Sequence, residues 1–160
     1  MSPSNLDPRV VDFCERLTRL DAGERARLKR NAGRTLAESH NALGLFFRLL
    51  PPNVPRIHEE TYFLVATLFP LAESGNEGNL GSALRQVHDP RGAQGLDRRV
   101  EILLDADGQQ LAFRLRQTIR FLESKRGVVN WPQLLQDLLA WGHPKRYVQE
   151  RWARAYFTSQ

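Results

Sequence analysis

The sequence predicts an all-α fold of about eight or nine helices packed as one or two bundles. Three observations predict it. Apolar residues recur at spacings of three and four along most of the chain. Capping residues and Gly or Pro stops punctuate that pattern at intervals of ten to twenty residues, the length of ordinary helices. No stretch keeps the alternation of β-branched residues that a strand needs, and Val128-Val129 is too short to count. The chain has 160 residues, 41% of them hydrophobic and 26% charged, enough to bury a core without staples.

Asp7-Pro8 supplies an N-cap and a first-turn proline, and Val10, Phe13, Cys14, Leu17 and Leu20 form one apolar face behind it. Cys14 on that face reads as a buried, inert thiol. Asp21 opens a second helix with Glu24 in the capping-box position, and Asn31-Ala32-Gly33 stops it. A third helical run holds Leu36, Leu43, Phe46, Phe47 and Leu50 and ends at Pro51-Pro52, because proline forces its predecessor out of helix. A fourth runs from about Ile57 to Phe69, apolar on most sides, with His58, Glu59 and Glu60 as its exposed first turn. Residues 73–79, ESGNEGN, read as a polar loop, and Asn79 caps a short helix carrying Leu80, Ala83, Leu84 and Val87. The segment 89–95, DPRGAQG, is the expected joint between an N-terminal lobe, 1–88, and a C-terminal bundle, 96–160. Leu96, Val100, Leu103 and Leu104 mark the next helix. A long one over about 109–125 follows, with Leu111, Leu115, Ile119 and Leu122 on one face and Gly127 as its C-terminal cap. Asn130 caps a helix holding Trp131, Leu134, Leu135, Leu138 and Trp141; Gly142 stops it, and Pro144 starts the last, with Val148, Trp152 and Ala155 aligned.

Composition excludes several function classes. Cys14 is the single cysteine, so neither a disulfide framework nor a cysteine zinc site is expected, and a reducing, cytoplasmic setting is the default. The start, MSPSNLDPRVVDF, lacks an apolar run of signal-peptide length, and nothing approaches the roughly 20 apolar residues of a membrane span. His40, His58, His88 and His143 have no metal-ligand spacing, and Asp105-x-Asp107-Gly108 lacks the further carboxylates of a calcium loop. Phosphate-binding glycine loops and nucleophile elbows are also missing, so no catalysis and no cofactor are expected.

Charge is the positive signal. Net charge is +5, from 20 Arg and 3 Lys against 18 acids. Arginine binds phosphate in a bidentate fork and stacks on flat rings, which suits a polyanion. Three clusters carry it: Arg25, Arg27, Lys29, Arg30 and Arg34; then Arg114, Arg116, Arg120, Lys125 and Arg126; then Lys145 and Arg146, with Arg151 and Arg154 beyond. On a helix, positions 27, 30 and 34 share one face, and Arg116 and Arg120 point away from the apolar stripe of their helix. Asp97, Glu101 and Glu123 are the acids that could neutralise such faces. The aromatic tail, LLAWGHPKRYVQERWARAYF, poses a choice between a base-stacking platform and a core. Two helices joined by a short turn must pack on each other, so the tryptophans are expected inside and Tyr147 or Tyr156 outside.

The tail resembles the CasB-type small subunit of the type I-E CRISPR surveillance complex, Cascade. The resemblance rests on Asn130-Trp131, Leu134-Leu135-x-Asp137-Leu138, Trp141, Val148, Trp152-Ala153 and Tyr156-Phe157, and on the run from Leu20 to Arg30. It implies a non-catalytic subunit present in two copies. They would abut the repeated backbone subunits and the large subunit, and steady the crRNA–target duplex and the displaced DNA strand of the R-loop. Arg25, Arg27, Lys29 and Arg30 are the basic positions that match that family; Arg34, Arg114, Arg116, Arg120, Lys125, Arg126, Lys145 and Arg146 join the expected nucleic-acid surface on charge and helical facing. Such contacts track backbone charge without reading sequence. The competing expectation is a helical scaffold whose basic faces meet acidic protein partners and no nucleic acid.

Overall fold

The computed structural model describes residues 5–158. Among them nine α-helices follow one another, joined by turns, 3-10 segments and one minimal sheet. In α1 (Pro8–Thr18) the Asp7 carboxylate accepts the Arg9 N–H at 2.8 Å, and the helix buries Val10, Phe13, Cys14 and Leu17. α2 (Ala22–Arg30) opens on a complete capping box: the Glu24 N–H donates to Asp21 at 2.8 Å and the Asp21 N–H donates to Glu24 at 3.1 Å. Leu28 is its one fully buried residue, so most of its surface is left to charge. Gly33, at φ 80°, then turns the chain.

The third helical run is shorter than its apolar spacing predicts. Residues 36–38 and 40–42 form 3-10 turns, and α3 spans only Leu43–Leu49. Glu38 folds back onto the Thr35 N–H, and the Ser39 hydroxyl donates to the Thr35 carbonyl. Short polar side chains that bond their own backbone compete with helix here. α4 (Glu59–Leu68) is buried on most sides through Tyr62, Phe63, Val65, Ala66, Thr67 and Leu68, and passes into a 3-10 turn at Phe69–Leu71.

The polar loop expected at 73–79 begins instead with a strand. β1 (Glu73–Ser74) pairs in parallel with β2 (Val128–Val129), and the Gly75 N–H donates to the Val129 carbonyl at 2.8 Å. A side chain at 75 would stand 2.6 Å from Val128 Cγ2, so glycine lets the two segments meet.

The remaining helices are α5 (Leu80–Gln86), α6 (Ala93–Leu104), α7 (Gly108–Ser124), α8 (Trp131–Leu139) and α9 (Tyr147–Phe157). Segment 89–95 forms a 3-10 turn at Pro90–Gly92 and the first residues of α6. α7 closes in a Schellman motif, with the Gly127 N–H on the Leu122 carbonyl and the Arg126 N–H on that of Glu123. The left-handed residue there is Arg126, at φ 58°, and not the glycine. Gly127 is needed for room, since a Cβ would meet Leu122 Cδ2 at 2.9 Å. α9 starts at Tyr147 rather than Pro144, because residues 142–146 are spent on the turn and Arg146 takes a left-handed φ of 51°.

One apolar cluster runs from Val10 to Tyr156. α8 packs on α1 and α4, α7 on α4 and α6, and α5 lies along α9. Helices from both sides of segment 89–95 therefore share a core. The tryptophans are core, as the tail's spacing predicts: Trp131 is 1% exposed, Trp141 6% and Trp152 1%. Tyr156 is buried too, against expectation, because its hydroxyl finds the Asp97 carboxylate at 2.6 Å; Tyr147 is half-buried.

Candidate nucleic-acid interface

Two elements far apart in sequence wall a concave groove of about 770 Å³. α2 contributes Arg25 and Lys29, one turn apart on the same face. The C-terminal end of α7 contributes Arg120 and Glu123, and Arg126 follows in the Schellman turn. The floor is the run from Phe69 to Ser74, with Thr18 at the end of α1 closing one side. Both walls stand here because α2 and α7 each pack against α4 and the 3-10 turn at Phe69–Leu71. Gly33, in the turn after α2, adds to the fit: a Cβ there would stand only 3.1 Å from Arg116 Cδ of α7.

Four cations thus face one concavity alongside two carboxylates, Glu73 and Glu123. Among the described residues, ion pairs within 4 Å join Arg9 to Asp7, Arg16 to Asp12 and Arg154 to Glu150, so none of the four is neutralised that way. The Arg25 guanidinium lies 5.3 Å from the centre of the Phe69 ring, a cation–π contact that holds it over the floor.

The other expected basic residues are dispersed. Arg27 and Arg30 lie on α2 outside the groove, Arg27 half-buried and Arg30 exposed. Arg34 is exposed but follows the Gly33 turn, so it does not share the helical face of Arg27 and Arg30 as expected. Arg116 does not project freely either; its stem packs toward Gly33 and its Nε is buried without a hydrogen-bond partner. Lys125 places its ammonium 5.9 Å from the Phe121 ring centre. Arg114 turns to a smaller groove of about 240 Å³ between α6 and α7, with Arg98, Arg99, Ile102 and Gln117. Lys145 is exposed, and Arg146 donates to the Leu104 carbonyl at 2.6 Å, beside the start of α7. The 17 residues of α7 span roughly 25 Å at 1.5 Å per residue, so this third cluster stands at the far end of the helix from Arg126. Farther along α9, Arg154 is paired with Glu150, and Arg151 lies 4.8 Å from the Tyr147 ring centre.

Arg98 and Arg99 were not among the expected site residues. The Arg-Arg dipeptide is visible in the sequence, but Asp97 and Glu101 flank it as apparent partners. Asp97 instead accepts the Tyr156 hydroxyl, and Arg99 leans over Phe121 at 5.1 Å. Phe69 and Thr18 were also missed, since apolar spacing gives no sign that they line a groove.

The buried polar groups are occupied with structure. Asp137 accepts from Gln133 Nε2 at 2.9 Å and from Trp152 Nε1 at 2.8 Å. Burial holds its carboxyl above the usual range against the pull of those two bonds. Burial also pushes the Cys14 thiol up to about 12, which leaves it a poor nucleophile. Among the described residues no group of three or more His, Cys, Asp or Glu could hold a metal ion, and no helix is long and apolar enough to cross a membrane.

Comparison with known proteins adds a family to this geometry. The family model described as CRISPR-associated protein Cse2 matches residues 24–157. A curated relative, the CRISPR-associated protein Cse2 of Thermus thermophilus, is 38% identical over 98 residues, 61% of this chain and 56% of its own length. The chain thus matches little more than half of that relative. The solved structure of CasB from Thermus thermophilus superposes with a TM-score of 0.77 at 31% identity, covering 99% of this chain and 100% of that one. A chain of a CRISPR RNA-guided surveillance complex shares the fold, with a TM-score of 0.77 at 24% identity over 92% of this chain and 91% of that one.

Proposed function

Because the chain belongs to the CRISPR-associated Cse2 family, we propose that it serves as a non-catalytic subunit of an RNA-guided surveillance complex. In that setting its partners are crRNA and target DNA, the neighbouring subunits of the complex, and a second copy of itself. Its task is to steady the guide–target duplex and the displaced strand through basic helix faces. Exchange of a DNA duplex for an RNA–DNA duplex is nearly balanced in free energy, so modest contacts to sugar and phosphate tip it. The observation that carries this reading is the groove, where Arg25, Lys29, Arg120 and Arg126 converge without ion-pair partners.

Contacts of this kind are electrostatic and indifferent to sequence. Four phosphates neutralised on a single strand give a slope of about −3 in log affinity against log salt, and the isolated chain binds at about micromolar affinity or weaker at physiological salt. Replacing Arg25 and Arg120 with Glu tests the reading. Loss of nucleic-acid binding with assembly of the complex intact supports it. Unchanged binding, with loss of assembly, assigns the groove to an acidic protein partner instead.

A further inference from the structure

The smaller groove between α6 and α7 is built differently from the basic groove. Gly95, Arg98, Arg99 and Ile102 recur along α6 at spacings of three and four, so one face of two turns, about 10 Å long, forms its first wall. Arg114 and Gln117 of α7 stand opposite. Three arginines therefore line about 240 Å³. Among the described residues none of them has an ion-pair partner within 4 Å. Asp97, one place before Arg98, is taken up by the Tyr156 hydroxyl at 2.6 Å, and Glu101 is not part of the lining. Rings steady two of the guanidiniums: Arg99 lies 5.1 Å from the centre of Phe121 and Arg114 5.3 Å from that of Phe113.

Exposed apolar surface sets this groove apart. Ile102 on its wall is 36% exposed, and Phe113, under the Arg114 guanidinium, is 53% exposed. In the basic groove Phe69, Leu71 and Ala72 are all buried. Arginine beside an aromatic and an aliphatic side chain, with no lysine, is the composition of a protein–protein contact. A sugar-phosphate chain would match the charge alone. A protein segment that carries carboxylates and an apolar side chain matches both. A second copy of this chain suits this groove poorly, since each copy brings a net charge of +5.

We infer that the α6–α7 groove docks an acidic segment of a different subunit of the complex, with carboxylates on Arg98, Arg99 and Arg114 and an apolar side chain against Ile102 and Phe113. This rests on the reading of the chain as a complex subunit and divides its basic surface in two. The groove of Arg25, Lys29, Arg120 and Arg126 serves nucleic acid, and this one serves protein. Arginine suits the second task because its planar fork makes two parallel bonds to one carboxylate.

The test assembles the remaining subunits and crRNA, without target DNA, and titrates in the full chain and its variants. Replacing Arg98 and Arg99 with Gln is expected to weaken association about tenfold or more. The free variant is expected to bind single-stranded DNA with an unchanged salt slope. Gly95 offers a second variant that removes no side chain. A Cβ there meets nothing within 4 Å, and helix favours almost any residue over glycine. Gly95→Glu sets a carboxylate one turn from Arg98 and Arg99, where it competes with the partner's. It is expected to weaken association severalfold, and Gly95→Gln, of the same size, to leave it close to wild type. A photo-crosslinking phenylalanine derivative in place of Ile102 is expected to join the chain to another subunit, within a peptide rich in Asp and Glu. Crosslinks to crRNA or to a second copy overturn the inference and leave the nucleic-acid reading intact. So do wild-type association of the Arg98, Arg99 variant and equal effects of Gly95→Glu and Gly95→Gln. A lower salt slope in the Arg98, Arg99 variant makes the groove a phosphate site and overturns the inference as well. A wild-type chain that joins no complex removes the subunit reading itself, and the inference with it.

Discussion

At φ 58° Arg126 holds a left-handed backbone that crowds its own Cβ, at a cost of about 1–2 kcal/mol. The residue lines the basic groove, so that strain sits where charge is wanted. Replacing it with glycine separates the two effects: Arg126→Gly should raise stability in urea by about 1 kcal/mol and weaken binding to nucleic acid. A variant that loses stability would show the side chain to be structural. Asp137 makes a prediction of opposite character. Its carboxylate accepts two buried donors on separate oxygens, and Asn offers only one oxygen, so Asp137→Asn leaves one donor unpaired and should cost about 1–3 kcal/mol at neutral pH. The pH dependence has a fixed sign. The folded carboxyl titrates above its ordinary value of 3.8, so the folded state holds the proton more tightly than the unfolded chain. The wild type should therefore gain stability relative to Asp137→Asn as pH falls from neutral through the folded pKa. The gain should level off below 3.8, where the unfolded carboxyl protonates as well. Pulse urea denaturation across that range reads it.

At the scale of elements, α5 and α9 approach so closely that a Cβ on Gly81 would lie 2.2 Å from the Trp152 carbonyl oxygen. Alanine favours helix over glycine by about 1 kcal/mol, but here backbone blocks it, and overpacking costs about 1–3 kcal/mol. Gly81→Ala should thus destabilise the chain, seen as a lower urea midpoint; a higher midpoint would mean the helices part freely. Most elements were legible because their cause is local. Asp7, Asp21, Asn79 and Asn130 cap helices where the sequence places caps, and the apolar stripes of α1, α7 and α8 are the buried ones. The misses have non-local or competing causes. β1 exists only because Val128-Val129 lies beside it, more than fifty residues away in sequence. The turns at 36–42 follow from hydroxyl and carboxylate bonds that apolar spacing ignores. At the start of α9, the chain uses Pro144 for the turn because Arg146 takes up the left-handed step.

At the scale of the whole molecule, charge was legible and its focus was not. Counting arginines identifies basic helices, but only the packing of α2 and α7 on the turn after α4 selects Arg25, Lys29, Arg120 and Arg126 from twelve expected positions. The same interlocking bears on the expected lobes 1–88 and 96–160. α5 lies on α9, and α8 on α1 and α4, so we propose that the two halves unfold together. A single urea transition, coincident by circular dichroism and tryptophan fluorescence, is the expected result. Above all, we propose that the convergent cations of one groove grip the nucleic-acid backbone. Its most direct test is the salt dependence of single-strand binding for the wild type, for a chain with Arg25, Lys29, Arg120 and Arg126 replaced by Gln, and for one with Lys145 and Arg146 so replaced. The expected slope is about −3 for the wild type and near zero, with little residual affinity, for the groove variant, with a smaller change for the turn variant. A groove variant that keeps the wild-type slope, or binding that ignores salt, would contradict it.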